Sequence, residues 1–142
     1  MKIALIIPTL NEIDGMRSVV SKIKKEWIDE IIIVDGGSTD GTIEEAKKQD
    51  LKVVMQKTKG KHGAAIYDGF EYTDAEMLIM FGADGNNEPE EIPRMISKMN
   101  EGYDQVIVTR FGKTSINSDA GIIDGFGNKM FTFLQMCCMA DT

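Results

Sequence analysis

The sequence predicts an α/β domain with a mostly parallel sheet and helices on both faces. Strand-like apolar runs alternate with helix-like segments five times along the 142 residues, as crossover connections between parallel strands require. The run at 77–81 is apolar throughout, which is typical of a strand covered on both faces. Polar loops follow the first four strands, and three of these loops contain two or more glycines. We therefore predict one domain with a central strand at 77–81 and a ligand site at the carboxyl ends of the strands.

The first half of the chain predicts two strand–loop–helix units. Residues 2–7 form the first strand, and apolar residues at helical spacing over 13–27 predict one amphipathic helix with Asn11 as its N-cap. The second strand, 30–34, is almost wholly β-branched and precedes a glycine-rich turn at 35–42. Thr42 and Glu45 are spaced for a capping box on a short helix that ends at 48.

The second half of the chain repeats this alternation. A third strand at 51–56 precedes a basic glycine loop at 57–63 and a helix at 64–72. After the central strand, Asn87 suits the cap of a turn, and Pro93 suits the first position of the next helix. A fifth strand at 105–109, a polar connection at 110–124 and an apolar helix at 126–139 complete the prediction.

Composition and charge limit the possible partners. Asp and Glu number 23 against 16 Lys and Arg, and no basic cluster suits a phosphate backbone, which argues against nucleic acid. The apolar run at the N-terminus is too short for a signal peptide or a membrane span, so we expect a cytoplasmic protein. Adjacent Cys137 and Cys138 predict reduced thiols. The apolar helix at 126–139 has two interpretations, a core helix or a surface that meets a membrane or a lipid acceptor.

The four loops after the strands carry the candidate site. In a parallel sheet they emerge at the same edge. They would bring together four carboxylates and two lysines: Glu12, Asp35, Asp40, Asp84, Lys59 and Lys61. This mixture suits a nucleoside diphosphate with a divalent cation. His62, between a lysine and a glycine, is interpreted as a solvated loop residue.

Several familiar activities lack their motifs. The glycines at 36–37 and 60–63 do not have dinucleotide-binding or P-loop spacing, and no Gly-Lys-Ser/Thr triplet occurs. No residues suggest a nucleophile with an oriented base. The sequence therefore argues against a dehydrogenase, an ordinary ATPase and a hydrolase.

Four ordered segments carry a resemblance to a known family. They are IPTLNE at 7–12, IVDGGSTDGT at 33–42, KGKHGAA at 59–65 and ADGNNEPE at 83–90. Their order and spacing resemble family 2 glycosyltransferases, above all dolichol-phosphate mannose synthase and related polyprenyl-phosphate glycosyltransferases. The resemblance implies a single Rossmann-like GT-A domain over 1–142. It also implies a domain truncated on its C-terminal acceptor side, because 141–142 resembles the start of a segment that continues in the family.

The resemblance also implies roles for individual residues. Pro8, Leu10 and Glu12 map onto positions that hold the nucleoside, and Asp35 maps onto an acid that reaches the base. Asp84 maps onto the Asp-x-Asp motif that carries Mg²⁺ or Mn²⁺ and the donor diphosphate. This motif departs from the family pattern, because glycine occupies its first position, 82, and a second departure is glycine at 36. The remaining assignments are Asn86 as a neutral helper near the metal, Lys61 near the diphosphate, and Arg110 as a catalytic residue near the diphosphate.

The implied reaction is an inverting transfer from a nucleotide-diphosphate sugar to an acceptor. An anionic lipid phosphate, such as a polyprenyl phosphate, needs no strong base, which fits the absence of an obvious one. Such an acceptor would place the protein at a membrane surface. The alternatives are a catalytically silent nucleotide-sugar-binding module, suggested by Gly82, and a sugar nucleotidyltransferase. The latter usually has a basic glycine-rich loop after its first strand, unlike residues 8–12.

Overall fold

The computed structural model describes residues 1–58 and 61–108 and confirms the α/β class. Four parallel strands, β1 (Ile3–Thr9), β2 (Glu30–Asp35), β3 (Lys52–Met55) and β4 (Met77–Met80), form a sheet of order β3-β2-β1-β4. The α-helices are α1 (Ile13–Ser18), α2 (Thr42–Lys48), α3 (His62–Phe70) and α4 (Ile92–Met99). Short 3₁₀ turns lie at Val20–Lys22, Lys25–Trp27 and Pro89–Glu91. Met1–Tyr103 form one compact unit.

Helices cover both faces of the sheet, as predicted. On one face, Leu5 and Ile7 of β1 pack in a core with residues of α1, α2 and α4, among them Met16, Ala46 and Ile92. On the other face, alternate strand residues pack with Ala65 of α3: Ile6, Ile32, Val34 and Val54. Each fully buried aliphatic side chain contributes about 1.5–3 kcal/mol. The two-residue period of the strands therefore divides the core into two layers around β1 and β2.

The predicted helix over 13–27 is wrong in its length. The α-helix ends at Ser18, and two 3₁₀ turns continue the chain to Trp27. The hydroxyls of Ser18 and Ser21 donate to the carbonyls of Asp14 and Arg17, four residues earlier, and such bonds compete with helical ones. The apolar spacing still identified the buried side, which includes Met16, Val19, Val20 and Ile23.

The prediction that 77–81 is a central strand stays a prediction, because the described sheet covers only part of the domain. β4 pairs only with β1 there and lies at the end of the strand order. Met77 and Ile79 are buried, whereas Met80 is 57% exposed. An apolar run indicates that a strand is buried, but it does not show which strands lie beside it in the sheet. Within the described sheet the two inner strands are β1 and β2.

Neither predicted helix cap forms. Glu12 is the N-cap of α1, and Asn11 has a positive φ of 57° with its side chain turned to the loop after β2. Gly41 is the N-cap of α2, and the Thr42 hydroxyl lies 2.6 Å from Asp40 Oδ1, to which it donates. Asn11 bonds to the neighbouring loop and Thr42 to the residue two positions before it, so neither side chain caps its helix.

Other boundaries shift slightly or lie outside the described residues. α3 begins at His62, so this histidine is the first residue of a helix and not a loop residue. Residues 105–108 contain no strand, and Thr109, Arg110, the helix predicted at 126–139 and the cysteines lie outside the described ranges. Among the described helices, none has the length and apolarity that crossing a membrane requires.

Candidate functional site

The loop after β1 is tied to the loop after β2 by hydrogen bonds between backbone and side chains. In each bond a backbone N–H donates to an oxygen of the other loop. The bonds run from Asn11 to Ser38 Oγ (2.8 Å), from Thr39 to Asn11 Oδ1 (2.9 Å), from Glu12 to Thr42 Oγ1 (2.9 Å) and from Ile13 to Asp40 Oδ2 (3.1 Å). The Asn, Ser, Asp and Thr residues of these motifs therefore fix one loop against the other.

Asp35 is at the centre of this arrangement and is fully buried. Oδ1 accepts the N–H groups of Gly37 and Ser38 at 2.8 and 2.7 Å, and Oδ2 accepts the hydroxyls of Thr9 and Ser38 at 2.9 and 2.6 Å. Burial by itself would raise the pKa of this carboxyl, but the hydrogen bonds from Ser38, Gly37 and Thr9 outweigh it and lower the pKa. Both oxygens of Asp35 are thus engaged inside the protein.

A cleft of about 270 Å³ opens beside these loops. It is bounded by the end of β1, the residues around the start of α3 and the loop after β4. Its lining is Pro8, Thr9, Leu10, Glu12, Gln56, Lys61, His62, Ala65, Gly82, Ala83 and Asp84. The carboxyl ends of three parallel strands meet here, which is where open α/β sheets bind ligands.

Two carboxylates line the cleft, Glu12 and Asp84. Burial raises the pKa of Glu12, and the nearby negative charges of Asp84 and Asp40 raise it further. Asn86 donates two hydrogen bonds to Asp84. Its backbone N–H donates to Oδ1 at 3.1 Å, and its side-chain amide donates to Oδ2 at 2.9 Å. Glu12 and Asp84 are therefore like charges beside one cleft, a pair that a cation or a proton would stabilise.

The donor set fits a divalent cation that substrate phosphates help to bind. Mg²⁺ is usually held by one or two carboxylates together with substrate oxygens, and Glu12 and Asp84 supply that number. Within 1–58 and 61–108, no three His, Cys, Asp or Glu side chains are grouped to hold a metal unaided. Asp84 and Glu12 are the residues that would hold the ion, with Asn86 beside Asp84.

The lining of the cleft also includes a cation and an amide. Lys61 is the N-cap of α3, and exposed His62 is its first residue. Gln56 follows β3 directly, and its Nε2 donates to the Lys61 carbonyl at 2.7 Å. The cleft thus combines carboxylates, a lysine, an amide and apolar groups, the mixture expected for a nucleoside diphosphate.

Most of the sequence-predicted residues come together here. Pro8, Leu10, Glu12, Lys61 and Asp84 line the cleft. Asp35 and Asp40 instead accept hydrogen bonds within their own loop and from Thr9 and Ile13, and Lys59 and Arg110 lie outside the described residues.

Sequence reasoning missed Gln56 and Asp68. Gln56 carries no signal beyond its position at the end of a strand. Asp68 is 7% exposed and accepts the Lys57 N–H at 2.8 Å, which fixes the chain just after β3. The available signal for Asp68 was an acidic residue on the apolar side of a helix, between Ala65 and Gly69.

A second groove, of about 360 Å³, lies away from the carboxyl ends of the strands. Its lining comes from the region of α1 and α2 and from residues before or at the start of β2 and β3, such as Ile31 and Leu51. Its Arg17 and Glu45 pair with each other. Its position does not match the ligand edge of a parallel sheet, so the smaller cleft is the candidate site.

A parallel sheet with a cleft at its carboxyl edge is the arrangement in which open α/β proteins bind their ligands. The family model for glycosyl transferase family 2 matches residues 4–137. The chain belongs to that family.

Two curated relatives are similar in sequence. Glycosyltransferase AglJ of Haloferax volcanii is 36% identical over 110 residues, covering 77% of this chain and 36% of the relative. Undecaprenyl-phosphate 4-deoxy-4-formamido-L-arabinose transferase of Salmonella choleraesuis is 32% identical over 123 residues, covering 77% of this chain and 37% of the relative. The chain therefore spans little more than a third of the length of these relatives.

Solved structures of glucosyl-3-phosphoglycerate synthase from Mycobacterium tuberculosis share the fold. The complex with uridine diphosphate has a TM-score of 0.64 and 26% identity, covering 71% of this chain and 40% of that one. The complex with Mn²⁺ and UDP-glucose has a TM-score of 0.64 and 25% identity over the same shares. The predicted GT-A, Rossmann-like fold is confirmed by this likeness.

Proposed function

We propose that this chain is the nucleotide-sugar-binding part of a glycosyltransferase that transfers a sugar from a nucleotide-diphosphate sugar to a polyprenyl-type lipid phosphate. The observation that carries the proposal is the cleft lined by Glu12, Asp84 and Lys61 at the carboxyl edge of the sheet. Family membership and the relative named for undecaprenyl phosphate support it. The neighbours solved with UDP, UDP-glucose and Mn²⁺ support the donor and the metal.

In this proposal the chain positions the diphosphate and balances its charge. Asp84 and Glu12 would hold Mg²⁺ or Mn²⁺, and the ion would supply positive charge beside the departing nucleoside diphosphate. Lys61 reaches the same phosphates, and Arg110 is assigned beside them from its place in the sequence. The bond from the anomeric carbon to the diphosphate oxygen breaks as the bond to the acceptor oxygen forms on the opposite face, inverting the configuration.

The acceptor determines whether the site needs a base. A lipid phosphate is already anionic near neutral pH and attacks without giving up a proton, so a site without a dedicated base suffices. In this proposal the protein works at a membrane surface, where such an acceptor is anchored.

The decisive experiment is transfer of labelled sugar from UDP- and GDP-sugars to undecaprenyl phosphate in detergent, with and without Mn²⁺. We expect metal-dependent labelling of the lipid, and Asp84→Asn should lower it about a hundredfold, because metal-based charge stabilisation is worth several kcal/mol. Asp14→Asn, on the exposed side of α1, is the matched control and should retain full activity. Equal labelling by the Asp84 variant would remove Asp84 from the reaction.

A silent binding module is the second candidate, and the residue at position 82 favours it. Gly82 lacks the first acid of the Asp-x-Asp motif, and the Asn87 amide lies against its backbone, with Nδ2 3.4 Å from the Gly82 carbonyl. A Cβ built on Gly82 would lie 2.8 Å from that nitrogen. Metal-dependent donor binding without any transfer, in the chain and in one extended past Thr142, would favour this candidate.

A further inference from the structure

We propose that Asp68 is a positioning residue that holds Lys61 at the cleft, where Lys61 meets the donor diphosphate. This inference rests on the proposed function, because it uses the role given there to Lys61. Asp68 lies on α3, about one turn after Ala65, which lines the cleft. It is only 7% exposed, and no step of the proposed reaction uses its carboxylate. This buried charge therefore needs another explanation.

Asp68 lies beside a close-packed apolar layer. The next residue, Gly69, approaches the sheet so closely that a Cβ there would lie 2.6 Å from Ile6 Cγ2 and 3.0 Å from Val34 Cγ2. Ala65 packs in the same layer. Placing a carboxylate in such surroundings costs free energy unless hydrogen bonds offset the cost. The hydrogen bond that Asp68 accepts is therefore the feature to explain.

This hydrogen bond comes from the backbone of the chain as it leaves β3. Asp68 Oδ2 accepts the N–H of Lys57 at 2.8 Å. The N–H of the preceding residue, Gln56, donates to the Asp35 carbonyl, also at 2.8 Å. Two successive backbone N–H groups are thus bound to different elements, the first to the end of β2 and the second to α3. Together the two bonds fix the backbone at 56–57, and with it the direction of the Gln56 side chain.

The Gln56 side chain connects this fixed backbone to Lys61. Its Nε2 donates to the Lys61 carbonyl at 2.7 Å, and the same carbonyl accepts the N–H of Ala65 in the first turn of α3 at 3.2 Å. Lys61 is held at the cleft by these two bonds. The hydrogen bond to Asp68 therefore reaches Lys61 through residues 56–57.

The side chain of Lys57 offers a matched control. Its Nζ pairs with Glu71, also on the α3 side, and both side chains are 56% exposed. An exposed ion pair of this kind contributes little to stability. Glu71→Gln thus removes a bond of the same lysine without touching its backbone N–H.

The test measures the affinity of the wild-type chain and its variants for UDP and GDP by calorimetry in Mn²⁺. Asp68→Ala should weaken binding of the nucleotide that wild type prefers about tenfold, because one hydrogen bond that fixes Lys61 is lost. Asp68→Asn keeps an oxygen that accepts the Lys57 N–H. It should bind within about threefold of wild type, as should Glu71→Gln.

A double-mutant cycle tests whether Asp68 acts through Lys61. Lys61→Met removes the ammonium group and should itself weaken binding about tenfold or more. Misplacing residue 61 matters only while that ammonium group is present. Adding Asp68→Ala to Lys61→Met should therefore cost less than about twofold more. A general loosening of the fold would instead weaken binding equally in both backgrounds.

Three results would overturn the proposal. They are unchanged affinity in Asp68→Ala, independent losses in the cycle, and an Asp68→Asn variant that binds as weakly as Asp68→Ala. The last result would show that the hydrogen bond to the Lys57 N–H is not the cause. If wild type binds neither UDP nor GDP, the proposed function itself fails.

Gln56→Met is a second variant that breaks the same path and leaves the buried carboxylate in place, so it serves even if Asp68→Ala does not fold. It removes the amide that donates to the Lys61 carbonyl. We expect a similar loss of nucleotide affinity, again absent when Lys61 is methionine. A loss of the same size in both backgrounds, or no loss, would contradict the proposed path.

Discussion

The sequence assigns the Asp35 carboxylate to ligand binding, but both of its oxygens accept hydrogen bonds from other groups of the protein. Two backbone amides and two hydroxyls donate to its oxygens, and no part of the residue is exposed. Hydrogen bonds to a charged acceptor contribute about 1.5–3 kcal/mol. Asp35 therefore acts by shaping the loops around the cleft.

Asp35→Asn should destabilise the chain by about 2–3 kcal/mol at pH 7, because the neutral amide has one acceptor oxygen in place of a carboxylate that accepts four hydrogen bonds. The lowered pKa of Asp35 gives the sign of the pH dependence. Its contribution is complete above the unfolded pKa of about 3.9 and disappears as the pH falls through the folded pKa. Urea unfolding at pH 7 and pH 3 measures this change. A difference between wild type and variant that is the same at both values would contradict the account.

The pH dependence of stability that Glu12 contributes has the opposite sign, because burial and the neighbouring charges of Asp84 and Asp40 raise its pKa. The ionised form costs stability, and this cost grows as the pH rises from the unfolded pKa of about 4.3 through the folded pKa. Glu12→Gln should therefore unfold at a higher temperature than wild type at pH 7 in metal-free buffer, and the gain should vanish below about pH 4. Thermal unfolding scans across this pH range measure the difference. A variant less stable than wild type at pH 7 would show that ionised Glu12 does not destabilise the fold.

At the scale of elements, α1 and the loop after β4 touch through a glycine. A Cβ built on Gly15 would lie 1.8 Å from the Ala83 carbonyl oxygen, so the α1 backbone packs directly against the residue before Asp84. The position of the Asp84 loop thus depends on a helix that contributes no side chain to it at this point.

Gly69 provides a matched comparison on the other face of the sheet. A Cβ there would lie 2.6 Å from Ile6 Cγ2. Ile6 belongs to the core layer on the α3 face, and Gly69 lies away in sequence from Glu12 and Asp84. We expect Gly15→Ala and Gly69→Ala each to lose about 1–3 kcal/mol of stability through overpacking. Only Gly15→Ala should also weaken metal-dependent UDP binding, since only it displaces Ala83. Calorimetry with and without Mn²⁺ measures this, and equal UDP affinity in the two variants would refute the coupling.

At the scale of the whole molecule, ligand binding should stabilise the fold. UDP or GDP at a hundred times its dissociation constant, with Mn²⁺, should raise the free energy of unfolding by about 2.7 kcal/mol. The measurement is a thermal-shift series with and without metal, using Asp84→Asn as control. If the melting temperature rises equally without metal, or equally in Asp84→Asn, the nucleotide binds away from Asp84.

The sequence alone predicted the class of fold, the parallel sheet, the layers of helices on both faces and most of the cleft. Apolar periodicity reports which side of a strand or helix is buried, and the loops after parallel strands meet at one edge. Glu12, Lys61 and Asp84 were found in this way, and Pro8 and Leu10 were found from the family resemblance.

Only the tertiary structure decided which polar residues are available to a ligand. Asp35 and Asp84 are both acids that follow a strand, yet one is buried under four hydrogen bonds and the other faces the cleft. The strand order, the broken helix after Ser18 and the place of Gln56 were decided in the same way. Hydrogen bonds between loops and contacts between layers join residues distant in the chain, and local sequence patterns carry no record of these pairings.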